Sequence, residues 1–262
     1  MEFSVSGARI SVNVPNRAGL LADVEQRLLE KKGFAIATLN LDHLVKLQDA
    51  EFMRAYRAQD FVTADGNPIV WMSHLAKRPV DLITGSDLIY PLAEVALRAK
   101  IKIGFIGSTP DALARAAAKM EADFPGIEIV SRIAPPMGFD PAGDSAEAAL
   151  RELHDAGAQM VFIALGAPKQ EVFAALGRKL MPNMSFVSIG AGLDFIAGTQ
   201  QRAPEIVQAL ALEWLWRMLS NPRRLAKRYA LCMKILPKHF AQTLEQRYAA
   251  VDTLQLPVKS AG

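Results

Sequence analysis

The 262-residue chain is poor in cysteine and in long apolar runs. Its single cysteine, Cys232, excludes a disulfide framework and a cysteine-based zinc site, and it agrees with a reducing cytoplasm. The first segment, MEFSVSGARISVNVP, has no basic start followed by an apolar core, so we expect no secretory signal. No apolar run reaches the ~18 residues that a membrane span requires. Contact with a membrane is therefore expected to be peripheral.

Metal-ligand and dinucleotide-binding patterns are also missing. No two aspartates are spaced as D-x-D, and the four histidines show no ligand spacing, so we expect neither a metal nor a cofactor. The segment GFIGST lacks the G-x-G-x-x-G spacing, and Gly190-Ala191-Gly192 only begins such a pattern. The absence of a complete dinucleotide-binding pattern counts against a nicotinamide-dependent oxidoreductase, which stays a minor alternative.

Strand-like and helix-like segments alternate through most of the chain. The strand-like segments are 8–14, 34–41, 61–66, 102–108, 126–133, 159–166 and 185–192. Helical spacing between them predicts an α/β fold with a Rossmann-like, mostly parallel sheet and helices on both faces. Ligands of such sheets bind beyond the carboxyl ends of the strands. In this chain those junctions are Asn40, Asp65, Gly107, Gly166 and Gly190.

The same patterns predict the extent of two helices. The apolar spacing of residues 42–59 predicts one continuous helix, and the last helix is predicted to end near Ile235 because Pro237 follows. After Gly198 the alternation stops. We therefore predict an α/β catalytic domain over 1–200 and a helical appendage over 201–262.

The appendage has no acidic residue between Trp214 and Leu244, where it carries seven basic ones. Aromatic side chains are interleaved with these charges. Such a surface suits a polyanion, namely a membrane surface, a lipid diphosphate or nucleic acid. The alternative is a solvated helix face, and a nucleic-acid-binding module is a further, minor alternative.

Two glycine turns join a strand to a helix. G-S-T-P (107–110) offers close backbone approach and a helix N-terminus, both of which attract phosphate. G-A-P-K-Q-E (166–171) adds a positive charge and an amide. Together, across one sheet, these turns are predicted to hold a nucleotide diphosphate. The alternative for each is an ordinary helix cap or a solvated first turn.

An aspartate follows the strand at 61–66. A carboxylate at the carboxyl end of a strand can act as general base, which is the role we predict for Asp65. The alternative is a turn-forming Asp-Gly pair. Thr38 and Asn40 lie near the end of the neighbouring strand, where they can orient a sugar hydroxyl.

In order along the chain, these motifs resemble the WecG/TagA/CpsF family of bacterial glycosyltransferases. The resemblance is carried by T-L-N (38–40), A-D-G (64–66), T-G-S-D-L (84–88), G-S-T-P (107–110), G-A-P-K-Q-E (166–171), G-A-G-L-D-F (190–195), R-A-P (202–204), E-W-L-W-R (213–217) and N-P-R-R-L-A-K-R-Y (221–229). Within the family, the chain looks most like the xanthan-type glucosyltransferases. The resemblance implies a GT-E-like fold and an inverting, metal-independent transfer from a UDP-sugar to an undecaprenyl-diphosphate-linked sugar. It also implies that the appendage binds the membrane.

Residue patterns and resemblance together define three sets of site residues. The catalytic set is Asp65 as base, with Thr38 and Asn40. The donor-binding set is Gly66, Gly107, Ser108, Thr109, Gly166, Ala167, Pro168, Lys169, Gln170, Glu171, Gly190, Gly192 and Asp194. The set for the acceptor and the membrane is Arg202, Arg217, Arg223, Arg224, Lys227 and Arg228.

The expected reaction moves glucose from UDP-glucose to undecaprenyl-diphosphate-linked glucose, in a β-1,4 linkage, for exopolysaccharide synthesis. Many family members have an arginine where this chain has Leu82; either Arg78 substitutes for it, or the donor or acceptor sugar differs. Because of this departure, transfer from UDP-N-acetylmannosamine, which the family also includes, is less favoured than transfer from UDP-glucose and is the alternative. Expected partners are the UDP-sugar, the polyprenyl-diphosphate acceptor and an anionic membrane surface, with no nucleic acid. The protein is expected in the cytoplasm, bound peripherally to the inner face of the plasma membrane, and copies of it can associate.

Overall fold

The computed structural model describes residues 1–201, 203–204, 206–207, 213–220 and 222–254; at 214, 217, 220, 224 and 249–254 it describes the backbone alone. The strands are β1 (Glu2–Val5), β2 (Ala8–Ser11), β3 (Ala35–Leu39), β4 (Phe61–Ala64), β5 (Ile103–Gly107), β6 (Ile129–Ile133), β7 (Met160–Ala164) and β8 (Ser185–Ser188). Strands β3 to β8 form one sheet in the order β4-β3-β8-β7-β5-β6, and every neighbouring pair in it is parallel. The predicted parallel α/β sheet is thus confirmed.

Helices precede, connect and follow these strands. Those in the described residues are α1 (Arg17–Leu29), α2 (Leu41–Lys46), α3 (Ala50–Arg57), α4 (Asn67–Leu75), α5 (Gly85–Ala99), α6 (Pro110–Asp123), α7 (Asp144–Asp155), α8 (Lys169–Leu180), α9 (Gly192–Ile196), α10 (Glu213–Ser220) and α11 (Pro222–Leu254).

Both faces of the sheet are covered by helices, as predicted. Along β5, Ile103 and Phe105 pack in a core that includes residues of α1, α5 and α6. Ile106 and, on β7, Val161 belong to a second core with α7 and α8. Because side chains alternate between faces, a strand buried on both sides reads as a continuous apolar run.

The amino-terminal part differs from the prediction in two places. The strand predicted at 8–14 is shorter and pairs with β1 in a separate antiparallel hairpin around Ser6 and Gly7, both at positive φ. The helix predicted over 42–59 is two helices, because the Asp49 side chain accepts a hydrogen bond from Phe52 N at 2.9 Å and starts α3 anew.

The prediction that the last helix ends near Ile235 is wrong, because α11 continues through Pro237 to Leu254. A proline inside a helix costs about 3 kcal/mol. Buried side chains lie on both sides of it, with Cys232 before and His239 and Thr243 after. This packing holds the backbone helical across the proline.

The long helix α11 packs against α2, α4 and β1. Near its end, Gln242 and Gln246 bond to the main chain of the open edge of β1: Gln242 Oε1 accepts from Ser4 N at 3.4 Å, and Gln246 Oε1 accepts from Glu2 N at 3.1 Å. The two amides also donate to the carbonyls of the same two residues. The spacings match, since four residues of helix rise about 6 Å and two residues of strand about 7 Å. The division of the chain at residue 200 stays a prediction.

In the described part of the chain, no helix combines the length and the apolar character that crossing a bilayer demands.

The order of the strands creates a crevice at the carboxyl edge of the sheet. The chain runs from β5 to β6 in one direction along the sheet and from β7 to β8 in the other. Since β5 and β7 are neighbours, their two connections diverge, and ligands of open α/β sheets bind at such points.

Candidate active site

Asp65 follows β4 directly, and its carboxylate contacts side chains at the carboxyl end of β3, the neighbouring strand in the sheet. Asp65 Oδ2 accepts hydrogen bonds from Thr38 Oγ1 at 3.4 Å and from Asn40 Nδ2 at 3.3 Å. The parallel register that sets Leu39 beside Ala64 brings the two strand ends together. The three residues predicted as the catalytic set therefore form one cluster; their roles stay predictions.

Asn40 is also the N-cap of α2, which decides how its amide is turned. Its Oδ1 accepts from His43 N at 3.0 Å, so its Nδ2 is the group that points to Asp65. Gly66 follows Asp65 with a φ of 109°, a conformation that favours glycine, and leads the chain into α4.

The glycine turns predicted to hold the donor lie at the same edge as Asp65 but farther along it. Strand β7 is three strands from β4, and β5 is four strands from it. At about 4.8 Å per strand these steps are about 14 and 19 Å. Only a ligand of about that length contacts both Asp65 and these turns.

The turn after β5 approaches β7 very closely. A Cβ added at Gly107 would lie 2.4 Å from the carbonyl carbon and oxygen of Ala164, and its φ is 115°. Ser108 N donates to Ala164 O at 3.2 Å. Thr109 Oγ1 accepts from Ala112 N and caps α6, which is the role that the alternative interpretation assigned to it.

Asp194 connects this turn to the segment after β8. Its Oδ1 accepts from the Ser108 hydroxyl, and its Oδ2 accepts from Gln200 Nε2 at 3.1 Å. Gly192 is buried, and a Cβ there would lie 2.4 Å from Ile89 Cδ1, so this glycine lets α9 approach α5.

The turn after β7 is held by two lysines. Lys46 Nζ donates to the carbonyl of Ala167 at 3.0 Å, and Lys169 Nζ donates to the carbonyl of Phe139 at 2.9 Å. Gly166 has a φ of 70°, and the bond from Ala167 to Pro168 is cis. The charge of Lys169, predicted to bind phosphate, therefore holds the loop that precedes α7.

Gln170 ties the turn after β8 to helix α8. Its side chain is buried; Oε1 accepts from Gly190 N at 3.1 Å, and Nε2 donates to Glu171 Oε1 at 2.8 Å. The Glu171 carboxylate thus fixes the amide orientation that holds Gly190.

Glu171 itself lies entirely inside the protein, at 0% exposure. Burial raises the pKa of its carboxyl to about 7, although the bond from Gln170 opposes this. Its Oε1 is 4.0 Å from Nδ1 of His43, and burial lowers the pKa of that imidazole to about 3. The His43 ring also bonds to the Tyr56 hydroxyl at 3.2 Å. Near pH 6 this interior network is therefore mostly uncharged.

Sequence reasoning missed the residues that support the cluster from α2 and α3. Asp42, His43 and Tyr56 are buried within or beside the site. The available signal was the D-H pair after T-L-N, because charged groups in a first helical turn next to a candidate base need partners.

Among the basic residues predicted for the acceptor, Arg228 has a defined partner: its Nε lies 3.0 Å from Asp42 Oδ1. Arg223 and Lys227 are exposed on α11. Arg202 lies outside the described residues, and so do the side chains of Arg217 and Arg224. Within the described part, no group of three or more histidine, cysteine or acidic side chains is arranged to hold a metal ion.

Residues 5–250 match the sequence model of the glycosyl transferase WecG/TagA/CpsF family. The chain belongs to this family. It is therefore an enzyme of the glycosyltransferase type, as the ordered motifs predicted.

A relative in Bacillus spizizenii (strain ATCC 23059 / NRRL B-14472 / W23) is named N-acetylglucosaminyldiphosphoundecaprenol N-acetyl-beta-D-mannosaminyltransferase. The two sequences are 31% identical over 227 residues, which cover 84% of this chain and 82% of the relative. The sugar in that name is N-acetylmannosamine, and this relative is not a xanthan-type glucosyltransferase of the kind that the sequence was expected to resemble.

Proposed function

We propose that this glycosyltransferase moves a sugar from a UDP-sugar to a sugar carried on undecaprenyl diphosphate, with inversion and with Asp65 as base. The observation that carries the proposal is the cluster of Asp65, Thr38 and Asn40 at the carboxyl edge of a parallel sheet, in a chain of this family. Two donors on neighbouring elements hold the carboxylate in one orientation, which a general base requires.

In the proposed step, Asp65 takes the proton of the acceptor hydroxyl as its oxygen attacks the anomeric carbon of the donor. The bond from that carbon to the β-phosphate breaks, and UDP leaves with the electron pair. Negative charge develops on the diphosphate, and the N-terminus of α6, at the turn after β5, is suited to stabilise it. The hydrogen bond from Gly190 N to Gln170 Oε1 helps to fix the turn after β8.

We place N-acetylmannosamine ahead of glucose as the donor sugar, because the relative is named for that transfer. Leu82, which stands where many family members have an arginine, bears on the same choice of sugar. Leu82 pairs with Ala64, next to Asp65, and its side chain is 38% exposed at the rim of the cluster. An apolar side chain there cannot bind phosphate as an arginine would, so this position is suited to influence the choice of donor or acceptor.

The test is a panel of radiolabelled UDP-sugars on the purified protein. UDP-N-acetylmannosamine and UDP-glucose are each offered with undecaprenyl diphosphates bearing N-acetylglucosamine or glucose, with and without chelator. We expect transfer of N-acetylmannosamine to the N-acetylglucosamine acceptor, unaffected by chelator. Preferential transfer of glucose would restore the original expectation for the donor. Absence of transfer from every UDP-sugar, by folded protein, would refute the proposed function.

We further propose that α11 lies on the anionic inner surface of the plasma membrane. Arg223, Lys227, Lys234 and Lys238 are exposed, and their spacings of four, seven and four residues place them on one face of the helix. Each basic residue near such a surface contributes about 1 kcal/mol, less what salt screens. Sedimentation with phosphatidylglycerol vesicles should weaken with added salt and with deletion after Ser220. Binding that is indifferent to both would exclude this role.

A further inference from the structure

Asp42 is a buried carboxylate that lies between two cations. It is 8% exposed, Lys46 Nζ lies 2.7 Å from its Oδ2, and Arg228 Nε lies 3.0 Å from its Oδ1. A carboxylate removed from water is stable only when charges of opposite sign or hydrogen-bond donors replace its hydration. Its two cations come from different places, one from its own helix α2 and the other from α11.

Two members of this trio, Asp42 and Lys46, also connect to the candidate site. Asp42 lies in the first turn of α2, whose N-cap is Asn40, and Asn40 donates to Asp65. Lys46 donates to the carbonyl of Ala167 in the turn after β7. One ionic network therefore connects α11, the helix that positions the partner of the candidate base, and the turn predicted to hold the donor.

The helix α11 has a second attachment, which is separate from this network. Gln242 and Gln246 bond to the main chain of β1, and the ring of His239 packs edge-on against Phe3 at 5.7 Å. From residue 228 to 242 the helix rises about 21 Å. Loss of the Arg228 contact therefore leaves the distal half of α11 attached, so that effects at the site can be separated from release of the helix.

We propose that Asp42 and Lys46 are positioning residues that couple the placement of α11 to the geometry of Asp65 and of the turn after β7. The expected effect on kcat rests on the proposed function, whereas the expected effect on amide exchange rests on geometry alone. With Arg228 against Asp42, the first turn of α2 and the Ala167 carbonyl are held together. Without it, Asp42 keeps the ion pair with Lys46 but loses the one with Arg228, so that α2 is no longer tied to α11 through this carboxylate.

The structural test is hydrogen–deuterium exchange on the full-length protein without substrates. Arg228→Gln and Asp42→Asn should raise amide exchange several-fold in segments 40–46 and 166–170, with little change in 239–246. Arg228→Lys keeps the charge and should restore protection in part. The matched control is Arg98→Gln, which removes an exposed ion pair between α5 and α1 with Glu25 at 3.0 Å and should leave all three segments unchanged.

The kinetic test uses the donor and acceptor that the panel identifies. Arg228→Gln and Asp42→Asn should each lower kcat roughly tenfold and raise donor KM, because both the candidate base and the turn predicted to hold the donor are displaced, whereas Arg98→Gln should change neither. The double variant Asp42→Asn/Arg228→Gln should lose no more kcat than Asp42→Asn alone, since that substitution already removes the contact with Arg228.

Unchanged exchange in both site segments, or exchange that rises equally throughout the sheet, would overturn the coupling. Additive loss of kcat in the double variant would overturn it as well. A wild-type protein that shows the exchange pattern but transfers no sugar would refute the proposed function and leave the structural coupling standing, so the two failures are distinguishable.

Discussion

The two ends of strand β4 carry two aspartates with different surroundings. At the amino end, Asp60 accepts from Arg27 Nη1 at 2.8 Å, from Arg178 Nε at 3.1 Å and from the main-chain N–H of Ala35. At the carboxyl end, Asp65 accepts longer hydrogen bonds from two uncharged side chains. Two guanidinium groups clamp Asp60 and tie elements together, whereas the hydroxyl and the amide at Asp65 orient its carboxylate for the proposed proton transfer.

The largest expected effect tests the carboxyl end. Asp65→Asn keeps the shape of the side chain but removes the base, so turnover should fall about 10²–10⁴-fold. The melting temperature should stay within about 2 °C of the wild type. Steady-state kinetics with the lipid-linked acceptor measures turnover, and calorimetry measures the melting temperature. Near-normal turnover would remove Asp65 from the role of base.

The reverse outcome is expected at the amino end. Asp60→Asn weakens both contacts to arginine and should lower the free energy of unfolding by about 2–4 kcal/mol. Since Asp60 lies at the opposite edge of the sheet, kcat of the folded enzyme should change less than about twofold. Urea unfolding and kinetics below the transition measure these effects. A large loss of kcat at Asp60 would break the division between the two ends.

A third expectation concerns the buried carboxyl behind the site. The pKa of Glu171 is 4.5 when unfolded and about 7 in the fold, so the folded state binds more protons between these values. The wild type should therefore lose about 3 kcal/mol of stability from this group as pH rises from 4.5 to 7. Glu171→Gln cannot ionise and should not lose it.

Urea unfolding at two pH values checks this sign. The Glu171→Gln variant should match the wild type near pH 4.5 and exceed its free energy of unfolding by about 3 kcal/mol at pH 8. An equal difference between the two proteins at both pH values would show that ionisation of this group does not govern the effect.

The smallest expected effect is a change in donor KM. It is tested by comparing Gly107, at the carboxyl edge of the sheet, with Gly126, at the amino edge. Gly107→Ala introduces a side chain at a φ of 115° and against the Ala164 carbonyl, whereas Gly126 has a φ of 96° with only Leu97 Cδ1 nearby, at 3.6 Å. Both substitutions should cost about 1–3 kcal/mol of stability. Only Gly107→Ala should also raise donor KM, roughly tenfold or about 1.4 kcal/mol. Equal KM values in the two variants would argue against a donor cradle at this turn.

Sequence reasoning succeeded where a local pattern and the fold agree. The continuous apolar runs around Phe105 and Phe162 predicted parallel strands buried on both faces, and both side chains are fully buried. It failed where tertiary contacts outweigh a local signal. Pro237 predicts a helix end, yet packing of Cys232 and His239 carries the helix across it. The hairpin of β1 and β2 was missed because a four-residue strand leaves little periodicity to read.

For the candidate site, the residue types were readable, but their partners were not. Asp65, Thr38 and Asn40 could be chosen because chain order and parallel topology place them at neighbouring strand ends. The pairing of Asp42 with Arg228 joins residues 186 positions apart, and no local pattern specifies which of several arginines a buried carboxylate meets.

The order of motifs along the chain therefore determined the family, the α/β architecture and the edge of the sheet at which chemistry is expected, because these depend on local periodicity and on strand direction. Only the tertiary structure decided that Lys169 and Thr109 serve as local anchors, that Glu171 lies in the interior, and that α11 docks on α2 through Asp42. Burial and long-range pairing set those roles, and both depend on how distant segments pack rather than on the segments themselves.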